Sequence, residues 1–486
     1  MITITKHYIG LLTAIAICIF LLFVNPFSVS PQANKVLAIA GLMITLWVTE
    51  ALPMPVVALL PLVLFPLLGI AKMDETTLPY ANPIIFLFMG GFMLGIAIEK
   101  WQLHKRIALT IVKFTGTSGN SIVLGFIIAT GFLSMWLSNT ATTMMMFPIA
   151  MSVIHVMETT QTHEPKGIKN LGICLMLSIA YASNLAIGTI IGTPPNAAYV
   201  AYLEKTYSYN FSFAEWMYLC TPLSVLLMAA LYFVMTKWLY PNNIKKSAVT
   251  GKIINNQLSE LGKLTTPEKR VIIVFCSTAF LWIVKDIINI SQSFLKLDDT
   301  IIAILGAITM FVMPSNATEE TGGKLLEWSD TKKMGWGTLL LFGGGITLAN
   351  QLEKAGLISK MGTWISAHSG NNIFVLVLIV TTASIFLSEV LSNVAQVIVF
   401  APVVTGIATA FGINPILLGL PMTLAASCAG MLPMGTPPNA IVFGSGKLKL
   451  GDMIKTGFIM NIICIILITL FCYFLVPLAI QPIAVK

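Results

Sequence analysis

The stretch "LSNTATTMMMFPIA", residues 137–150, sets Ser138, Asn139 and Thr140 inside a run of 44 residues, Phe114 to Met157, that contains no Asp, Glu, Lys or Arg. Polar side chains in so apolar a run need partners, because an unpaired hydroxyl or amide is costly in hydrocarbon. The pattern occurs twice. "SMWLSNTA" (134–141) is matched by "SEVLSNVA" (388–395), so that Ser134, Ser138 and Asn139 fall on Ser388, Ser392 and Asn393 at an offset of 254. The same offset aligns "FMGGFMLGIAIEKWQL" (88–103) with "FGGGITLANQLEKAGL" (342–357), pairing Glu99 with Glu353 and Lys100 with Lys354. Further on, "IGTPPNA" (191–197) returns as "MGTPPNA" (434–440). The first half carries 11 extra residues between its two motifs, which we place in the loop around Glu158–Asn170.

Composition sets the class in which such a duplication must be read. Hydrophobic residues make up 56% of the 486 and charged residues 10%, which excludes an ordinary soluble domain. Apolar runs of membrane-crossing length recur along nearly the whole chain, at about 8–27, 35–51, 54–71, 82–99, 170–200, 216–240, 271–290, 300–314, 335–352, 414–444 and 454–480. The two neutral regions, 120–157 and 372–410, lie between them. The first run lacks a small-residue cleavage site and reads as a helix rather than a removed signal. The seven cysteines lie mostly within apolar runs without the paired spacing of a metal or redox motif, and the five histidines show no i, i+4 pair for a metal site. The basic balance, net charge +8, sits at span ends and short loops and so answers to membrane topology rather than nucleic acid.

Between Lys237 and Arg270 there are seven Lys or Arg against two Glu, which places that loop in the cytoplasm. With the N-terminus also inside and each simple span alternating, the cluster Lys100, Lys105, Arg106 and Lys113 and the loop 237–270 both face the cytoplasm, an agreement that requires each neutral region to enter and leave on one side. Each region is then a re-entrant hairpin with a Ser-Asn pair at its tip. The number of simple crossings between the matched copies is odd, so the repeat is inverted and the C-terminus is extracytoplasmic. The division expected is an N-terminal helix at 1–34, a first repeat at 35–240, a cytoplasmic linker at 241–270 and a second repeat at 271–486. Inverted repeats of this kind build their site near the midplane from interrupted helices.

Each G-T-P-P-N turn is such an interruption. Proline lacks the amide hydrogen that would continue the helix before Gly192 or Gly435, yet at a first helical position it starts one. The restarted helix offers free N–H donors and a positive dipole end to an anion, and the stopped helix offers carbonyls to a cation. Neutral Ser, Asn and Thr keep an unfilled site cheap in the membrane, whereas an arginine would not. Two such clusters facing one another suit a ligand with acceptors at both ends, a dicarboxylate, with cations or exchange for a like anion balancing its charge. Ser134 with Asn139, and Ser388 with Asn393, are oxygen-bearing candidates for sodium, supplemented by backbone carbonyls near Gly192 and Gly435. Glu389 is the only acid in the second neutral region, and its repeat mate is Met135. It either couples transport to a proton or cation or makes a structural hydrogen bond.

No H-E-x-x-H, G-x-S-x-G or pair of acids lies within the spans, which argues against an intramembrane enzyme. A passive anion channel could also use neutral donors at helix ends. Sulfate, phosphate or arsenite are alternative cargoes, since a small oxyanion also fits helix N-termini.

At these residues the chain resembles the divalent anion/sodium symporter family, whose members carry di- and tricarboxylates, citrate among the latter, and in some branches sulfate. "TEALPMPVVALLPLVLFPLLGI" (49–70) and "GFMLGIAIEKWQLHKRIAL" (91–109) share in the resemblance, which covers nearly the whole chain. It implies an all-α polytopic membrane protein with eleven transmembrane helices and two re-entrant hairpins in an inverted repeat. It also implies a homodimer, built through a scaffold domain, that moves substrate by an elevator-like displacement of a transport domain. Carried over by residue, substrate binding falls on Ser138, Asn139, Thr140, Thr193 and Pro194 and on Ser392, Asn393, Val394, Thr436 and Pro437. Sodium falls on Ser134, Asn139 and Gly192 and on Ser388, Asn393 and Gly435. The second copy departs from the family's Ser-Asn-Thr at Val394, which cannot donate a hydroxyl hydrogen bond. The family contains both sodium-driven cotransporters and sodium-independent exchangers. The intact S-x3-S-N pairs favour sodium cotransport in a cell inner membrane, with no organic cofactor.

Overall fold

The computed structural model describes residues 2–160, 165–245, 248–292, 294–316, 323–360, 363 and 372–480, and among these the chain is helical throughout, with one isolated bridge between Pro314 and Lys324. The chain opens with α1 (Ile2–Val24) and α2 (Pro31–Thr49), whose first turn is capped by Ser30. The run expected at 54–71 is broken by its prolines into α3 (Met54–Val57) and α4 (Leu60–Leu67), followed by α5 (Met73–Thr77). Then come α6 (Pro83–Lys100) and α7 (Leu103–Thr115). The first neutral region folds as α8 (Gly119–Ser134) and α9 (Asn139–Thr160). Beyond it lie α10 (Pro165–Asn184), α11 (Pro194–Tyr207) and α12 (Phe213–Phe233), the last closed by a capping box between Ser212 and Glu215.

The linker carries a helix of its own, α13 (Ala248–Glu260). The second half runs through α14 (Thr266–Ser291), α15 (Asp299–Val312) and α16 (Trp336–Lys354) to a second folded-back pair, α17 (Ile373–Ser388) and α18 (Asn393–Ala410). It ends with α19 (Ile416–Ala426), α20 (Pro437–Phe443) and α21 (Leu450–Ala479). Counting the broken pairs α3/α4, α10/α11 and α19/α20 as one crossing each gives the eleven that the sequence leads one to expect. By length and composition eight described helices could cross a membrane, and two of these, α9 and α18, are hairpin legs.

Contacts at the hairpin bases establish the inversion. Asn120, at the start of α8, accepts from Asn242, while Ser152 on α9 accepts from Gln257, so both legs of the first hairpin open toward the linker. At the second hairpin, Phe374 packs edge-on to Tyr473 of α21, and Gly406 lies against Ile358, just beyond the C-terminal end of α16. Helix α21 measures both ends: its Asp452 carbonyl accepts from Tyr240 beside the linker, and Tyr473 lies 21 residues away, about 32 Å at helical rise. The two hairpins therefore open to opposite faces. Repeat mates α6 and α16 are likewise antiparallel. The C-terminal end of α6 sits at the linker face, where Lys100 pairs with Asp330 at 2.7 Å, whereas the C-terminal end of α16 pairs Lys354 with Glu75 at the other face.

Glycines allow α6 and α16 to be approached this closely. A Cβ on Gly90 would lie 2.7 Å from the Ala303 carbonyl carbon, and one on Gly344 would lie 2.3 Å from the Ala58 oxygen. The two are repeat mates, and each receives a neighbouring helix backbone. The extra residues of the first half fall partly on 161–164, outside the described residues.

Candidate functional site

Four helices begin at one cavity: α9 at Asn139, α11 at Pro194, α18 at Asn393 and α20 at Pro437. The cavity, of about 720 Å³, is lined by Ser138, Asn139, Thr140, Thr193 and Pro194 from the first half and by Ser392, Asn393, Val394, Thr436 and Pro437 from the second. Positive dipole ends thus collect on one volume, with first-turn N–H groups supplied by α9 and α18, while α11 and α20 begin with proline pairs that carry no N–H and have their Asn196 and Asn439 amides bonded to Thr193 and Thr436. Of the sodium candidates, Asn139, Gly192, Asn393 and Gly435 also line it, whereas Ser134 and Ser388 are wholly buried one layer behind. The two inner serines are held alike. Ser134 Oγ donates to Asn139 Oδ1 at 2.9 Å, and Ser388 Oγ donates to Asn393 Oδ1 at 2.6 Å.

The two breaks are tied to each other by a crossed pair of side-chain bonds. Asn184 Nδ2 donates to Thr436 Oγ1 at 3.1 Å, and its repeat mate Ser427 donates to Thr193 Oγ1 at 3.2 Å. Behind them the two motif asparagines do the same work in each half. Asn196 Nδ2 donates to the carbonyls of Ile187 and Thr189, and Asn439 Nδ2 donates to those of Ala429 and Leu432. The N in G-T-P-P-N is therefore a brace for the unwound segment, a role that proline spacing alone does not reveal.

Both breaks are longer than expected. Helix α10 stops at Asn184 and α19 at Ala426, well ahead of Gly192 and Gly435. Tertiary donors hold the first segment open: Ser224 bonds the Leu185 carbonyl, Trp216 the Ile187 carbonyl at 3.0 Å, and Thr221 the Gly188 carbonyl at 3.0 Å. Each of those carbonyls thus accepts a hydrogen bond from α12, which holds the unwound segment in place. Gly192 itself has no room for a side chain, because a Cβ there would lie 2.3 Å from the Ala186 oxygen.

Glu389 anchors the second break. Its carboxylate accepts from the backbone amides of Gly430, Met431 and Leu432 at 2.9 to 3.1 Å and from Asn461 Nδ2 at 2.7 Å, and the residue is buried. Of the two readings open from sequence, the geometry displays the structural hydrogen bond.

The hairpin tips differ in what they touch. Trp136 packs edge-on to Phe275 and stacks near Phe213 and Trp282, which belong to α12 and α14. Beneath that aromatic group lies an ion pair the sequence reading passed over, Lys285 with Asp299 at 2.7 Å, and Asp299 also accepts from the Phe213 amide. The signal available was a lysine inside an apolar run. The mate of Trp136 is Val390, which is exposed at the second tip. The charged residues among the cavity's lining, Glu50, Glu99 and Lys333, all stand at the linker end, with Lys333 Nζ 3.4 Å from Glu99 Oε1. The cavity opens to that face.

Comparison with known proteins follows the same lines. The family model described as sodium:sulfate symporter, transmembrane region, matches residues 5–480. A protein of Staphylococcus saprophyticus described as sodium-dependent dicarboxylate transporter SdcS is 38% identical over 461 residues, 94% of this chain and 89% of its own length. The protein of that description from Staphylococcus aureus is 37% identical over 479 residues, 96% of this chain and 91% of its own. Among solved structures, the YdaH transporter of Alcanivorax borkumensis superposes on 95% of this chain and 97% of its own with a TM-score of 0.50 at 12% identity, a likeness that bears on the fold alone.

Proposed function

We propose that this chain, which belongs to the sodium:sulfate symporter family and is a transporter rather than an enzyme, carries C4-type dicarboxylates of the succinate, malate, fumarate and 2-oxoglutarate class together with sodium. The observation that carries the reading is the meeting of two Ser-Asn hairpin tips and two T-P-P helix starts on one cavity that has no fixed cation between them. One carboxylate sits at each tip, against Ser138, Asn139 and Thr140 on one side and Ser392 and Asn393 on the other. The N-terminal ends of α11 and α20, at Pro194 and Pro437, add the positive ends of their dipoles rather than N–H donors, since prolines carry none and the Asn196 and Asn439 amides are bonded to Thr193 and Thr436. Sodium at Ser134, Asn139 and Gly192, and at Ser388, Asn393 and Gly435, supplies the charge that neutral donors lack. Both curated relatives described above, named for sodium-dependent dicarboxylate transport, support the cargo and the ion.

The conformation is the inward-open one if the basic linker is cytoplasmic, with N-terminus inside and C-terminus outside. Alternating access then raises the two hairpins and two broken helices as a body past a scaffold of the remaining helices, in a homodimer. The contact of Trp136 with Phe275 and Trp282 is one that such an elevator movement must break.

Radiolabelled succinate uptake into proteoliposomes tests this. Uptake driven by an inward sodium gradient without internal substrate is the expected result. Uptake that needs internal dicarboxylate and ignores sodium makes the protein an exchanger, and inhibition by sulfate rather than succinate makes it an inorganic oxyanion carrier.

A further inference from the structure

The inverted repeat pairs Thr130 with Ser384 and Thr142 with Gln396 at the offset of 254. In the second hairpin these mates touch. Gln396 Nε2 donates to Ser384 Oγ at 2.7 Å and to the Ser384 carbonyl at 2.9 Å, while Ser384 Oγ donates to the Met422 carbonyl. The amide bridges α17 and α18. In the first hairpin Thr130 and Thr142 are 0% exposed, yet neither hydroxyl oxygen has a hydrogen-bond partner among the described residues. Ser178, on α10 where it packs along both legs, is in the same condition. Several buried helical threonines return the hydroxyl to the carbonyl four residues back, as Thr381, Thr405 and Thr423 do, although Thr469 on α21 also lacks a partner among the described residues. Thr130 and Thr142 do not.

Chain length says what the threonines would leave between them. A threonine hydroxyl stands two bonds nearer its backbone than a glutamine amide nitrogen, about 2.5 Å, so a first hairpin that repeats the backbone of the second leaves roughly 5 Å between the hydroxyl positions of Thr130 and Thr142. Two oxygens so spaced can share one hard cation at about 2.3–2.6 Å from each, the range found for calcium, whose radius is close to that of sodium. A donor group occupies the equivalent point of the second hairpin, where the Gln396 amide faces oxygens only. That point is thus acceptor-rich in both halves.

We propose that Thr130 and Thr142, with Ser178, hold a further sodium ion one helical turn behind Ser134 and Asn139, and that the Gln396 amide stands in for its counterpart in the second hairpin. The proposal rests on the sodium-coupled reading above and adds a third ion to it, unequal between the halves.

The test rebuilds the second hairpin in the first. Thr130→Ser with Thr142→Gln places an amide where the cation is held, and sodium per succinate, measured as the ratio of labelled fluxes in proteoliposomes, is expected to fall by one while transport continues. Thr142→Val keeps the shape and removes the oxygen; half-saturating sodium is expected to rise about 10-fold, both for uptake and for sodium-induced thermal stabilisation without substrate. If the double variant does not fold, Thr142→Val decides. Unchanged flux ratio and unchanged sodium curves overturn the proposal and leave a buried water between the hydroxyls. A wild-type protein that neither needs sodium nor is stabilised by it defeats the sodium-coupled reading itself, an outcome visible before any variant is made.

Discussion

The segment at 185–193 and its mate at 428–436 lead into the same motif, G-T-P-P-N, yet a different brace is added to each. In the first, hydroxyl and indole donors from α12 consume carbonyls. In the second, a carboxylate consumes amides. Carbonyls of both segments are also taken up by the motif asparagines Asn196 and Asn439, so the difference lies in the added brace, α12 donors in one half and the Glu389 carboxylate in the other. The first segment is buried throughout, whereas Met434 of the second is 77% exposed, so the open side of the cavity is the side braced by a charge. Two copies of one motif need not be two copies of one site.

The asparagines at the tips should be the most sensitive positions, because there the halves agree. Asn139→Ala and Asn393→Ala each remove a cavity-lining amide and the acceptor of a buried serine. Each is expected to lower succinate uptake by about 100-fold or more, from the loss of hydrogen bonds to charged partners. Monodisperse elution in detergent checks that the fold survives. A large loss in one variant with wild-type kinetics in the other would show that the tips, too, have diverged.

Glu389→Gln tests the difference itself. An amide in that place points a donor at three backbone donors, and breaking one partner of a buried charged network costs about 3–5 kcal/mol. Thermal unfolding in detergent is expected several degrees lower and uptake at most a tenth of wild type, by the scale of one such network. Whatever uptake remains should keep its sodium and pH dependence. A changed dependence would return Glu389 to a coupling role.

The repeat was legible because the offset of 254 survives from Phe88 to Asn139 with chemistry-bearing residues in register. The hairpins followed from charge placement, and the proline positions gave the starts of α11 and α20. What could not be read were the stops. Nothing in the sequence at Asn184 or Ala426 ends a helix; the ends are set by Ser224, Trp216 and Glu389, distant in the chain. Helices α7 and α13 were missed for another reason. They are short, and α7 carries Lys105, Arg106 and Lys113 on a helix whose buried side is Leu103, His104, Ala108, Leu109 and Val112. A search for apolar runs passes over an amphipathic surface helix. Arg106 then ties α7 to the start of α14 through Glu268 at 2.7 Å, a link between halves that no local pattern encodes.

The smallest expected effect comes from removing the one departure between the tips. Val394 lines the cavity where its mate Thr140 offers a hydroxyl. Val394→Thr changes one methyl into one donor at nearly constant volume, so the fold should be indifferent and only the ligand should register it. A net added hydrogen bond contributes about 0.5–1.5 kcal/mol, so KM for succinate should fall by about two- to tenfold if a carboxylate lies within reach of that position. The valine then marks a ligand whose end near α18 is held by Ser392 and Asn393 alone, with an apolar wall beside it. A KM that does not move places the second carboxylate deeper, toward Thr436 and Pro437, and makes the second half's contribution to binding the helix break rather than the hairpin tip.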